Sequence, residues 1–138
     1  MKELHWNDES VDRYNSCNRS RYYGHIKNFQ DKVYICDKEE NFWMEDRISE
    51  SLIKIQEMLK KYEENGYEYF HYKLEISNDG EGGSNHGFVD AEFYRLETEE
   101  ERKSRIEDFR AGINKRLVSL KKQIEEAQSQ LEALNAEK

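Results

Sequence analysis

Three patterns in this 138-residue chain predict an α+β fold: a small antiparallel sheet of two hairpins, one packed helix, and a long coiled-coil-like C-terminal helix. Apolar and polar residues alternate over 67–77, apolar residues recur every three or four positions over 44–62, and a 3.5-residue repeat runs from Ile113 to Leu134. Alternation marks a half-buried strand, and 3–4 spacing marks one face of a helix. A sustained 3.5-residue repeat marks the seam of a coiled coil.

Residues 1–20 carry neither period, and the turn-like run Asn15-Ser16-Cys17-Asn18-Arg19-Ser20 predicts an N-terminal arm or irregular segment. The head is expected over 21–97. Its first hairpin is predicted from Tyr22–Phe29 and Val33–Cys36, both rich in aromatic or β-branched residues and separated by Gln30-Asp31-Lys32. From about Glu40 the period changes to helical. Met44, Ile48, Leu52, Ile55, Leu59 and Tyr62 share one face, Asp37 with Glu40 offers a capping box, and Asn41 offers a second start. Asn65-Gly66 is the stop signal, because glycine enters the left-handed conformation at little cost.

In the next strand Phe70, Tyr72, Leu74 and Ile76 face one way, and Tyr69, His71, Lys73 and Glu75 the other. The loop 78–87 holds four of the seven glycines and joins this strand to Phe88–Leu96 as the second hairpin. The expected core of the head comprises Ile48, Leu52, Ile55, Leu59, Phe70, Tyr72, Leu74, Ile76 and Phe93.

The third segment, 98–138, opens on a capping box of Thr98 and Glu101, with Glu99 and Glu100 favourable against the helix dipole. Leu117, Ile124 and Leu131 take the a positions of its heptads, and Ile113, Leu120, Ala127 and Leu134 the d positions. So narrow a stripe suits a two-helix seam better than a sheet, which asks for a wider apolar face. A homo-oligomer is therefore expected, with Ile113, Leu117, Leu120, Ile124, Leu131 and Leu134 as its interface. A parallel pair would set Arg116 against Lys121 of the partner, so an antiparallel pair or a larger assembly is preferred. Gly112 is a possible break in the helix.

Composition bounds the function classes. Charged residues make up 38% of the chain and hydrophobic residues 36%, a balance that leans toward disorder. The 2 Trp, 9 Tyr and 6 Phe lean the other way and imply an aromatic-rich core. The net charge of −8 is concentrated: residues 37–101 carry 19 acidic groups against seven basic ones, a balance of −12. No apolar run is long enough to span a membrane, and no secretory signal is visible at the start, so a cytoplasmic setting is expected. Cys17 and Cys36 show no CxxC and no metal-ligand spacing with His5, His25, His71 or His86. They are expected to be reduced and inert, and neither a metal nor a cofactor is called for. Phosphate-loop, nucleophile-elbow and HExxH motifs are all missing, which argues against an enzyme.

The stretch Tyr94-Arg95-Leu96-Glu97-Thr98-Glu99-Glu100-Glu101-Arg102-Lys103-Ser104-Arg105-Ile106 resembles a pattern in small phage and prophage proteins. In those, the last strand of a small sheet runs through Y-R-x-E-T-[DE]-E-E into a charged helix. The match departs at Arg102, where an aromatic residue is usual. The resemblance implies an origin in a phage or mobile element, where small proteins bind and disable host factors.

Two binding modes follow. In the first, the acidic middle, through Glu97, Glu99, Glu100, Asp79 and Glu81, meets a basic surface on a host protein, as an anti-defence or anti-CRISPR type of inhibitor does. In the second, Arg19, Arg21, Arg102, Lys103 or Arg105 holds the phosphate of a nucleotide signal while Tyr22 and Tyr23 stack on its base. A structural phage component is the third possibility. Nucleic acid is disfavoured as a partner, since five basic groups over residues 13–36 make a weak electrostatic footprint.

Overall fold

The structure is a computed structural model that describes residues 1–5, 7–17, 26–45, 47–78 and 85–137, the side chains at 77–78 and 85–86 apart. Its elements are β1 (Lys2–Glu3), β2 (Arg13–Asn15), β3 (Tyr34–Trp43), α1 (Ile48–Glu64), β4 (Tyr69–Asn78), β5 (Asn85–Leu96) and α2 (Glu99–Ala136). The fold is α+β. The five strands form one sheet in the order β1-β4-β5-β3-β2. β5 pairs antiparallel with both β3 and β4, whereas the two edge strands pair parallel with their neighbours, so the sheet is mixed.

The second predicted hairpin is present as β4 and β5, in register from Tyr69↔Tyr94 to Asn78↔Asn85. The first is not. Residues 22–25 lie outside the described residues, 26–29 form no strand, and β3 runs on to Trp43 along β5. The helix expected from Glu40 consequently starts at Ile48. Asp37-Lys38-Glu39-Glu40 has little intrinsic strand preference, but pairing with β5 supplies its backbone with ladder partners, and that tertiary term overrides local propensity. At the start of α1 the Ser51 hydroxyl, fully buried, accepts the Glu45 backbone N–H at 2.8 Å. The stop at Asn65-Gly66 is as expected: Gly66 adopts φ +86°, and the Tyr67 N–H closes on the Tyr62 carbonyl at 3.1 Å.

The N-terminal segment is irregular over most of its described residues, but Lys2–Glu3 and Arg13–Asn15 join the sheet. β1 pairs with β4 and β2 with β3, while the buried Arg13 guanidinium donates to the carbonyls of Asp8 and His5. Apolar residues of both segments, Leu4 and Tyr14, are buried with the strands.

On one face of the sheet Tyr62 and Tyr67 pack with Ala91 and Phe93, and Met58, Leu59 and Phe70 border them. The Tyr62 ring stacks on Phe93 with centroids 3.9 Å apart. On the opposite face Leu4, Cys36 and Tyr94 form a second cluster with Val11, Tyr34 and Tyr69. The predicted core is therefore only partly right. Phe93 is buried, and Leu59, Phe70 and Ile55 are half-buried. Ile48, Leu52, Tyr72, Leu74 and Ile76 are about half exposed or more. Contact with the sheet is made by the C-terminal half of α1. Ahead of it an apolar groove of about 310 Å³, lined by Ile55, Leu59, Phe70, Leu74 and Val89 among others, separates helix and strands.

The chain divides into two units, 1–98 and 99–138. The second is α2, a single helix of 38 residues that at about 1.5 Å per residue spans roughly 57 Å. It passes through Gly112 without a break. Its stripe residues Ile113, Leu117, Leu120, Ile124, Leu131 and Leu134 are between 44% and 64% exposed in the single chain. Among the described residues, no helix is long and apolar enough to cross a membrane.

Candidate functional site

Chemistry-bearing side chains converge on the face of the sheet opposite α1. The registers set a row across three strands: Glu39 of β3 stands opposite Glu92 of β5, which stands opposite His71 of β4. The next row on the same face is Asn41, Asp90 and Lys73. A cavity of about 520 Å³ is lined by Glu39, His71, Tyr72, Lys73, Asp90 and Glu92. The ring nitrogen Nδ1 of His71 lies 2.9 Å from the Leu4 carbonyl, which ties the histidine to the segment after β1.

Beside this row the two cysteines meet. The β2–β3 register sets Asn15 against Cys36, and the chain then carries Cys17 over the same strand. The Ser16 N–H and hydroxyl both donate to the Cys36 carbonyl, at 2.8 and 2.9 Å, and the Cys17 N–H donates to Asn15 Oδ1 at 2.8 Å. The Sγ atoms of Cys17 and Cys36 and a carboxylate oxygen of Glu39 all lie within 4.8 Å of one another. Asn15 Nδ2 braces the acids, donating to Glu39 Oε1 at 2.7 Å and to Glu92 Oε1 at 2.9 Å. Glu92 Oε2 in turn accepts from the Tyr94 hydroxyl at 2.7 Å.

This cluster was hidden in the sequence for a specific reason. Residues three apart on a regular strand point to opposite faces. A β-bulge between Cys36 and Lys38 absorbs one residue and brings Glu39 to the face of Cys36. The residue taken up by the bulge, Asp37, accepts from Arg95 Nη2 and from the Tyr67 hydroxyl, each at 2.7 Å. The absence of ligand spacing along the chain therefore said nothing about spacing across strands.

Both thiols are pushed above their ordinary value, Cys36 strongly, by burial first and then by the charge of Glu92. For Cys17 the causes are burial and then Glu39. Neither thiol is activated as a nucleophile, since the thiolate is the reactive form.

The residues predicted to bind a partner are dispersed. Glu97 is corrected: it is only 2% exposed, and its Oε1 accepts the Val33 N–H at 3.0 Å while its own N–H returns to the Val33 carbonyl. A carboxylate used to close the end of the sheet is not a docking surface. Glu99 and Glu100 are exposed in the first turn of α2. Asp79 and Glu81 lie outside the described residues, as do Arg19, Arg21, Tyr22 and Tyr23. Of the other candidate phosphate ligands, Arg102 Nη1 is 3.4 Å from Glu99 Oε2, Lys103 is exposed, and Arg105 is buried. The described residues thus assemble no arginine–tyrosine pocket. Three acidic groups, Glu39, Glu92 and Asp90, meet instead around the cavity on the sheet, at positions the charge balance announced only in bulk. No protein-family model, curated protein or solved structure matches this chain.

Proposed function

We propose that this chain is a non-enzymatic interaction protein that offers an acidic sheet face to a basic surface on a host protein and self-associates through α2. The observation that carries the reading is the pair of cross-strand rows that sets Glu39, Glu92 and Asp90 around one solvent-open cavity, with Lys73 and His71 as the cationic or titratable groups among its lining residues. Charges concentrated on a concave surface steer a complementary partner and raise its association rate. The resemblance of residues 94–106 to small phage proteins supports a host factor as that partner, with inhibition as the outcome of occupancy. The exposed heptad stripe supports self-association, because half-exposed Leu and Ile at a and d positions gain burial from a second helix.

The test is capture of a partner from host lysate at low salt, followed by association kinetics of the identified partner over a salt series. Asp90→Lys is expected to slow association several-fold and to change dissociation less. The paired change Glu99→Lys with Glu100→Lys measures separately what the start of α2 adds. A partner that binds equally at low and high salt, and to Asp90→Lys as to wild type, overturns the reading.

A further inference from the structure

We propose that Cys17, Cys36 and Glu39 form a binding site for a single divalent transition-metal ion, with Zn²⁺ as the ion the donor set fits best. The site rests on the placement of three donor atoms and shares only Glu39 with the acidic cavity. In a tetrahedral site with Zn–S near 2.3 Å and Zn–O near 2.0–2.2 Å, neighbouring donors stand roughly 3.5–3.8 Å apart. The two Sγ atoms and the carboxylate oxygen already lie within 4.8 Å of one another, so side-chain rotations of about 1 Å close the site. Cys17 is exposed and has room to make that adjustment, whereas Cys36 is fixed in the buried cluster with Leu4 and Tyr94.

The surroundings are those of a ligand set held in place. Asn15 is buried, and its amide fixes the Glu39 carboxylate by one hydrogen bond while bracing Glu92 by another. Orientation of a ligating carboxylate by a buried hydrogen bond is what an outer shell supplies. Ser16 clamps the Cys17 segment onto β3 through two bonds to the Cys36 carbonyl. The acids Glu92 and Asp90 add negative charge beside the site without occupying it.

Donor chemistry narrows the ion. Two sulfurs exclude Mg²⁺ and Ca²⁺, which take oxygen ligands, while a carboxylate among them disfavours Cu⁺, which prefers sulfur alone. Binding converts two thiols to thiolates and releases two protons to solvent, with no change of oxidation state. Three protein ligands leave a fourth position for water, next to the cavity that Glu39 and Glu92 line.

The probe is Co²⁺ added to the reduced, untagged full chain, then displaced by Zn²⁺. The expected result is one equivalent of Co²⁺ with a thiolate-to-cobalt charge-transfer band and the visible bands of a tetrahedral ion, all abolished by Zn²⁺. Zn²⁺ should also protect both thiols from a disulfide reagent. Cys17→Ser, at an exposed position, should weaken the charge-transfer band and the affinity. Asn15→Ala should lower Zn²⁺ affinity roughly 10- to 100-fold, as loss of an outer-shell partner does. A folded, reduced chain that gives no thiolate–cobalt band overturns the proposal. So does Zn²⁺ binding that Cys17→Ser leaves unchanged.

Discussion

Phe93 carries the interior of the sheet on the α1 side. It is fully buried, stacks on Tyr62 and meets the edge of Tyr67. Phe93→Ala should cost about 3–5 kcal/mol, read as a lowered urea midpoint. Leu52→Ala should cost about 1 kcal/mol or less, because that side chain is already 53% exposed. Equal losses at the two positions would place α1 differently from what is described above. Strand alternation made Phe93 legible in the sequence, whereas the helical period named a face without saying how much of it the sheet covers. Two tyrosines add a pH dependence. Burial, and then hydrogen bonds donated to Glu68 and Asp37, push Tyr34 and Tyr67 up from 10.0 to about 12. The native state keeps these protons where the unfolded chain has lost them, so unfolding releases protons in that interval. Their stabilising contribution is fully present below pH 10 and is lost as pH rises toward about 12. Chemical denaturation at stepped alkaline pH should show that decline, and Tyr34→Phe with Tyr67→Phe should lessen it, while Tyr62 and Tyr94, also pushed up by burial and then by Glu40 and Glu92, sustain the rest.

Elements were legible in proportion to how local their causes are. α2 starts and ends where acids in its first turn and its heptads place it, and β4 and β5 follow their alternation. β3 continues as a strand past Glu40, against the helical period there, because its charged residues are held by β5, a strand more than 40 residues away in the chain. β1 and β2, two and three residues long, are too short to carry any period. The candidate site was hidden for the same reasons, since the bulge in β3 and the pairing of β2 are what bring Cys17, Cys36 and Glu39 together. For α2 the decisive question is what covers its stripe. Leu120→Asp with Ile124→Asp should dissociate the assembly in light scattering and leave the circular dichroism of the sheet intact. A wild-type chain that is monomeric at tens of micromolar removes the seam altogether.

At the scale of the molecule, sheet order and chain order disagree. The sheet reads β1-β4-β5-β3-β2, so its central strand, β5, is the last of the five in the chain. Without β5 the remaining strands are two separate pairs, β1 with β4 and β2 with β3, each joined over only two or three residues. Isolated pairs of that length are not stable in water. A fragment ending at Asn78 should therefore be unfolded. One ending at Arg110 keeps every buried residue named here and none of the stripe, so it should be folded and monomeric. Amide exchange on the two fragments reads both outcomes. On the ribosome the same order has a temporal meaning. Apolar strand residues such as Ile35, Phe70 and Leu74 leave the exit tunnel before the strand that unites them exists. The nascent chain must wait, exposed to chaperones and proteases, until residues 85–96 arrive, and it then closes the two long strand pairings, with β3 and with β4, against a single late template.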